Sequence, residues 1–153
     1  MVRSGLTTDP ATSARMKGIR QRHTKPELLL RKLLWAAGLR YRCNVHGLPG
    51  SPDLANRRHG WVIFVHGCFW HGHPGCKRAT IPKRNASFWT EKIAANQRRD
   101  QAKAEALRLL GLEVVTVWEC EVSRMGQSGI GAAPGPLLTL LRRLPHRRSS
   151  PGG

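Results

Sequence analysis

The sequence predicts an α/β domain in which a small mixed sheet lies between helices. Three patterns predict it: a capped apolar helix over residues 24–38, two short β-prone runs around a turn within 53–65, and a long helical pattern over 88–110 that leads into a β-branched run at 112–118. Helices that alternate with short apolar strands are typical of α/β domains. A length of 153 residues fits one domain with its own hydrophobic core.

The charge balance of the chain is strongly basic. It contains 26 Lys and Arg residues against 9 Asp and Glu residues, a formal net charge of +17. Such an excess indicates a polyanion as partner, most often nucleic acid, although an arginine-rich surface without a specific partner is the alternative. We find no secretory signal, no span long enough for a bilayer and no basic amphipathic helix for a membrane surface. We therefore expect a cytoplasmic protein with reduced cysteines, where clustered Cys and His indicate metal binding.

The first predicted helix follows a basic N-terminal region. Residues 1–23 have no apolar periodicity and are predicted to form a flexible basic arm, in which Met16 is one of few large apolar residues. Thr24 and Glu27 are spaced as a capping box, so a helix should begin there and end near Gly38. Its predicted apolar face consists of Leu28, Leu29, Leu30, Leu33, Leu34 and Trp35.

A hairpin is predicted next. We expect a short strand over Leu39–Val45, with Cys43 as a small core residue rather than a ligand. After a loop rich in Pro and Gly, residues 53–55 and Trp61–Val65 should form two strands joined by a turn. An Asp at such a strand start is usually a cap or turn residue, but this hairpin would place Asp53 close to His66.

The second half of the chain predicts a long helix and a buried strand. Ser87 should cap a helix over Phe88–Leu110, and Leu112–Trp118 should form the strand. The expected inward side chains of the helix are Trp89, Ile93, Ala104, Leu107 and Leu110. Together these patterns divide the chain into an arm (1–23), a folded domain (24–125) and a tail (126–153) rich in Gly, Pro and Arg, in which only Leu137–Leu144 should be helical.

Four side chains have the spacing of a metal site. Cys68, His73 and Cys76 are separated by four and two residues, and Cys120 follows after 43 intervening residues at the end of another predicted strand. Three Cys and one His would form a closed tetrahedral site, which favours structural rather than catalytic zinc. The alternative is a set of buried free thiols.

Two further histidines, His66 and His71, remain beside this set. Histidine side chains titrate near neutral pH, which suits proton transfer, so His71 is a candidate proton carrier. With a strongly basic surface, Asp53 as a Mg²⁺ ligand and His71 as an activator of water indicate phosphodiester cleavage.

The motifs that contain these residues resemble the very short patch repair endonucleases. The resemblance is carried by His66-Gly67-Cys68-Phe69-Trp70-His71, by Phe88-Trp89 with Glu91-Lys92-Ile93, and by Val117-Trp118-Glu119-Cys120; it covers about Thr12 to Val122. It implies a bacterial enzyme with a fold like that of type II restriction enzymes. Such an enzyme nicks DNA 5′ to the T of a T·G mismatch that arises when 5-methylcytosine deaminates.

The resemblance also implies roles for individual residues. It places the Mg²⁺ ligands on Asp53 and the backbone carbonyl of Val65, and the catalytic histidine on His71. The zinc ligands would be Cys68, His73, Cys76 and Cys120. Three more positions match residues around the catalytic metal, namely Glu27, His66 and Asp100. Phe69 and Trp70 would wedge into the base stack beside the mismatch, while Met16 enters from the other groove.

Several alternatives stay open at this point. The segment from His73 to Cys76 is one residue longer than the family pattern, so the roles of His71 and His73 could be exchanged. The expected partner is duplex DNA with a T·G mismatch, bound by a monomer that is associated with the nucleoid in use; recruitment of mismatch-repair proteins is left open. The competing function is a zinc-stabilised module that binds distorted DNA without cutting it, which would need neither Asp53 nor His71.

Overall fold

The structure is a computed structural model that describes residues 25–143, so Met16, Thr24 and the last ten residues lie outside the described part of the chain. No helix within 25–143 combines the length and apolar character needed to cross a membrane. The elements are α1 (Lys25–Ala36), β1 (Arg42–Cys43), β2 (Leu54–Asn56), β3 (Trp61–His66), α2 (Ala86–Leu109), β4 (Glu113–Trp118), α3 (Glu119–Ser128) and α4 (Gly135–Arg143), with 3₁₀ turns at Lys77–Ala79 and Ile130–Ala132.

The four strands form one mixed sheet in the order β1-β2-β3-β4. The predicted hairpin is present, because β2 pairs antiparallel with β3 and sets Leu54 opposite Ile63. β3 pairs parallel with β4, and their last residues, His66 and Trp118, are partners. Parallel neighbours need a long crossover connection, which α2 provides here. The predicted α/β class with a small mixed sheet is thus confirmed.

The central strand β3 is covered on both faces, because successive side chains of a strand point to opposite sides of the sheet. Trp61 and Ile63 belong to the larger core, which includes residues of α1, α3 and α4. Val62 and Phe64 belong to a smaller core with Leu107 of α2 and Leu48 of the preceding loop. The sheet is therefore a layer between α2 and the other three helices.

The inward face of α1 is narrower than its run of leucines suggests. Leu30 and Leu34 are buried in the larger core, while Leu28 and Trp35 are exposed. The Arg40 guanidinium lies 3.7 Å above the Trp35 ring, so a cation–π contact covers part of this exposed indole. One helix can bury only a stripe, and each of the runs Leu28–Leu30 and Leu33–Trp35 is wider than that stripe.

Two other sequence-based burial predictions are wrong. Cys43 is exposed rather than part of the core, because β1 is a two-residue edge strand whose side chains are both exposed. The predicted strand over Leu39–Val45 is cut short at Asn44, which has a positive φ of 49°. Leu110 is also exposed, since α2 ends one residue earlier and the chain turns there.

The structure differs from the predicted tail at 126–153. Residue 125 lies inside α3, and α4 covers most of the segment that was predicted to be helical. Leu137 and Leu140 have no solvent exposure and are part of the larger core with Met125. Up to Arg143 the chain is thus part of the folded domain, because α4 supplies apolar surface that closes one face of the sheet.

Candidate active site

The loop that follows β3 folds into a compact series of turns. The backbone amides of His71, Gly72 and His73 donate hydrogen bonds to carbonyls of Gly67, Phe69 and Cys68, at 3.2, 3.3 and 2.9 Å. These bonds bend the chain back toward the end of β3. As a result, side chains that are adjacent in the sequence point to different surroundings.

The first set of side chains in this loop is the Cys/His cluster, consisting of Cys68, His73, Cys76 and Cys120. Their ligand atoms all lie within 4.8 Å of one another. The parallel register explains the arrival of Cys120: His66 and Trp118 are partners, so the residues two positions beyond each strand meet. The His73 ring is stacked on Trp118, with ring centroids 4.3 Å apart, and its Nδ1 lies 3.4 Å from Cys120 Sγ.

The donor set of this cluster suits a metal ion. Cys68 is fully buried, and burial, with the neighbouring Cys120 and Cys76, raises the pKa of its thiol to about 12. Sulfur ligands bind metals as thiolates, so a cation would supply the charge that this site otherwise lacks. Three sulfurs and one ring nitrogen complete a four-coordinate set without an open position. The cluster could therefore hold a structural metal ion.

The second set consists of His66, His71 and Asp100. His71 Nδ1 lies 2.5 Å from Asp100 Oδ2, and His66 Nε2 lies 3.9 Å from Asp100 Oδ1. The two imidazole rings are stacked, with centroids 3.9 Å apart and an interplanar angle of 7°. Asp100 reaches this set from α2, on a helix face that the sequence alone suggests is solvated.

Burial and neighbouring charges give the residues of the second set different protonation states. Burial, and then the neighbouring charge of His71, lowers the pKa of His66 to about 4. Burial alone would raise the pKa of Asp100, but the hydrogen bond from His71 and the charges of both histidines hold it below its usual range. At neutral pH the set therefore contains a neutral His66 and an ionised Asp100 that accepts a hydrogen bond from His71.

A third set consists of two carboxylates, Asp53 immediately before β2 and Glu27 on α1. Asp53 Oδ2 accepts the Val65 backbone N–H at 2.6 Å. Glu27, only 2% exposed, also pairs with Arg31 at 2.9 Å. Burial raises the pKa of Asp53 to about 6, and the adjacent Glu27 carboxylate contributes to this rise against the Val65 hydrogen bond. A buried carboxylate next to a half-buried one is an oxygen donor set that a divalent cation would stabilise.

The predicted catalytic residues thus form two contact groups at the same end of the sheet. One is the Glu27–Asp53 pair, and the other is the set of His66, His71 and Asp100. β2 starts where β3 ends, because the two strands are antiparallel. Asp53 and the backbone of Val65 are in direct contact, so the carboxylate lies one residue from the strand end that bears His66.

The aromatic side chains of the loop pack on the first turns of α2. Measured between ring centroids, Phe69 lies 5.2 Å from Trp70 and 5.3 Å from Trp89, and Trp70 lies 5.8 Å from Trp89. All three pairs are edge-to-face. Phe88 adds an exposed edge next to Trp89. Phe69 and Trp70 are both half-buried, so they form a supported aromatic surface rather than free side chains.

Sequence reasoning missed three polar residues that hold this loop. Asn96 Nδ2 donates to the Trp70 carbonyl at 2.8 Å, and Gln97 Nε2 donates to the His71 carbonyl at 3.2 Å. Glu119 Oε1 accepts the backbone N–H of Cys68 at 3.2 Å. In the sequence, a polar side chain on a helix that holds a loop looks the same as one that only faces solvent.

A sequence profile of the family described as DNA mismatch endonuclease Vsr matches residues 6–78. The DNA mismatch endonuclease Vsr of Escherichia coli K12 is 42% identical over 113 residues, which cover 73% of this chain and 72% of that protein. This chain belongs to the Vsr family. The resemblance to very short patch repair endonucleases is thereby confirmed.

Two type II nicking enzymes are similar over a comparable length. The type II nicking enzyme V.XorIIP of Xanthomonas oryzae pv. oryzae is 45% identical over 111 residues, covering 72% of this chain and 81% of that protein. The type II nicking enzyme V.NmeAIP of Neisseria meningitidis is 43% identical over 117 residues, covering 76% of this chain and 82% of that protein.

Proposed function

We propose that this Vsr-family protein nicks duplex DNA 5′ to the T of a T·G mismatch that arises from 5-methylcytosine deamination, and so initiates very short patch repair. The proposal includes Mg²⁺-dependent hydrolysis of one phosphodiester bond by a cytoplasmic monomer that acts on the nucleoid. A fold like that of type II restriction enzymes, and recruitment of mismatch-repair proteins, remain predictions from the family resemblance.

One observation carries the proposal: the Glu27–Asp53 carboxylate pair, in which Glu27 is buried and Asp53 half-buried, lies at the same end of the sheet as the His71–Asp100 hydrogen bond. Hydrolysis of a phosphodiester needs charge stabilisation on the phosphate and a group that moves a proton. Binding of distorted DNA needs neither. A second carboxylate held against the buried Glu27 is costly and serves no purpose in DNA binding alone, which disfavours a purely DNA-binding role.

We assign the Mg²⁺ ligands to Asp53 and the backbone carbonyl of Val65, with Glu27 beside them. The raised pKa of Asp53, caused first by burial and then increased by Glu27, is what a cation would reverse. When bound, the ion would supply Lewis-acid stabilisation of the charge on the phosphate oxygens. Asp53 would remain anchored to β3 through its 2.6 Å hydrogen bond from the Val65 amide.

His71 would move the proton in this reaction. Its Nδ1 is held by Asp100 at 2.5 Å, so Nε2 is the ring nitrogen available to a water molecule. Asp100 would orient the ring and stabilise the protonated imidazole. His66, kept neutral by burial and stacked on His71, would fix the plane of that ring.

We assign structural zinc to Cys68, His73, Cys76 and Cys120. The position of His73 among the sulfurs, and of His71 beside Asp100, supports this division of roles over the exchanged one. Zinc bound there would tie the loop after β3 to the start of α3, where apolar burial is small.

Phe69 and Trp70 would wedge into the base stack, with Met16 entering from the opposite groove. Unstacking a base step costs a few kcal/mol, and a mismatched step is the least costly to open. Packing of the two rings on Trp89 would keep them in place for insertion, at ring-centroid distances of 5.3 and 5.8 Å. The aromatic wedge and His71 would then act on the DNA from the same loop, which α2 holds in place.

The test is cleavage of an end-labelled T·G duplex in Mg²⁺, compared with a matched T·A duplex of the same sequence. We expect one nick, 5′ to the T, with wild-type protein. Asp53→Ala should lower the nicking rate by a factor of about 10³ or more, because the metal ligand is lost. DNA binding should persist, because it depends on basic and aromatic side chains.

Glu105→Ala is the matched control, since Glu105 is an exposed carboxylate on α2. It should nick at the wild-type rate. Binding of the T·G duplex without any nicking by wild-type protein would support the non-catalytic binder instead. Undiminished nicking by Asp53→Ala would refute the assignment of the metal ligand.

A further inference from the structure

The backbone of residues 70–72 is held against α2 by two neighbouring amide side chains. Asn96 Nδ2 donates to the Trp70 carbonyl at 2.8 Å. Gln97 Nε2 lies 3.2 Å from the His71 carbonyl and 3.4 Å from the Gly72 carbonyl, so one NH₂ group is shared between two acceptors. Three consecutive carbonyls of the loop are thus bound by one helix.

Gly72 allows this close approach. Its φ is +64°, a backbone conformation that residues other than glycine rarely adopt. A Cβ atom at this position would lie 2.5 Å from Gln97 Nε2 and 2.7 Å from Ile93 Cγ2, which is closer than real Cβ atoms come. The positive φ and the close approach to α2 therefore both favour glycine at residue 72.

The same helix holds the His71 ring through Asp100, three residues beyond Gln97. Residues three apart on a helix lie on the same side, so α2 binds both the peptide group of His71 and its imidazole. The Nδ1 hydrogen bond and the stacking on His66 orient the ring, but they leave the His71 peptide carbonyl free to shift. A bond to the peptide carbonyl at the base of the side chain removes this freedom.

We propose that Gln97 is a positioning residue for strand nicking: by holding the His71 and Gly72 carbonyls, it fixes the direction in which the His71 imidazole faces the phosphate. The inference rests on the proposed function of His71. Gln97 itself is exposed, so its hydrogen bonds compete with water and contribute little to the stability of the free protein. Its effect should therefore appear in the rate of the chemical step.

The test replaces Gln97 by Leu, which is similar in size and cannot donate a hydrogen bond. We expect the single-turnover nicking rate to fall about 10-fold, because small displacements of a reacting group are costly. The dissociation constant for the T·G duplex, the zinc content and the melting temperature should stay at wild-type values. Gln101→Leu is the matched control, because it makes the same change at an exposed position on the same helix.

A second variant and an NMR measurement distinguish a positioning role of Gln97 from a general disturbance of the loop. Gln97→Lys restores a donor and should recover most of the rate. His71 Nδ1 and Asp100 Oδ2 lie 2.5 Å apart, so in ¹⁵N-labelled protein the proton between them should give a low-field NMR resonance. That resonance should broaden in Gln97→Leu and persist in Gln101→Leu.

An unchanged nicking rate in Gln97→Leu would overturn the proposal. A rate loss matched by an equal loss of zinc or of DNA binding would also overturn it, because the role would then be structural. If wild-type protein does not nick, the proposed function fails first, and the resonance alone decides on Gln97. In that case a sharp resonance in Gln97→Leu would overturn the positioning role.

Discussion

Replacing His71 and His73 separately by Ala gives the sharpest test of how this loop divides its work. The two residues are two positions apart, yet the structure places His73 with three cysteines and His71 with Asp100. If the cluster holds zinc as proposed, His73→Ala should remove the zinc and destabilise the protein. His71→Ala should keep the zinc and the melting temperature but lose nicking.

The magnitudes follow from the contacts of each ring. His73 supplies one of four donors in a site that, for structural zinc, is worth on the order of 10–16 kcal/mol of folding free energy. Losing even about 3 kcal/mol of this would lower the melting temperature by roughly 10 °C for a domain of this size. His71 has no donor role in that set, and removal of a proton carrier typically costs a factor of about 10²–10⁴ in rate.

Three measurements on the purified variants decide the question: zinc per chain by atomic absorption, thermal unfolding, and single-turnover nicking of a T·G duplex. The zinc content should fall from one ion per chain to well below one only in His73→Ala. Loss of zinc in His71→Ala with retention in His73→Ala would refute the division of roles and would favour the exchanged assignment.

Two further outcomes are expected. Asp100→Asn should lower the nicking rate by a factor of about 10² or more with DNA binding unchanged, because the His71 imidazole loses its charged partner; a rate within threefold of wild type would contradict this. Leu140→Ala should reduce the free energy of unfolding in urea by about 2–5 kcal/mol, because Leu140 is 0% exposed. Leu109→Ala, at a residue that is 88% exposed, is the matched control and should change it by less than about 0.5 kcal/mol, so equal effects would argue against a core that includes α4.

Much of the fold could be predicted from local patterns. The predicted positions of α2, the β2–β3 hairpin and β4 agree with the structure within a few residues, because turn residues such as Gly60 and Gly111 mark their ends. The errors occur where local pattern and tertiary packing differ. Cys43 is apolar enough for a core but lies on an edge strand, and α4 lies in the segment predicted as a tail but closes one face of the sheet.

The sequence by itself determined which residues can do chemistry. Cysteine, histidine and carboxylate side chains have few structural uses when they cluster, so Cys68, His71, His73 and Asp53 stand out without any coordinates. Their spacing also indicates a metal set within the loop. Glutamine on a helix surface has many uses, which is why no pattern singled out Gln97.

Only the tertiary structure decided which of these residues meet. The parallel register of β3 and β4 brings Cys120 to Cys68, and the packing of α2 brings Asp100 to His71. The packing of α1 likewise places Glu27 beside Asp53, which raises the pKa of that carboxyl in addition to burial. Such encounters depend on strand register and helix orientation, and these are set by the whole core rather than by neighbours in the chain.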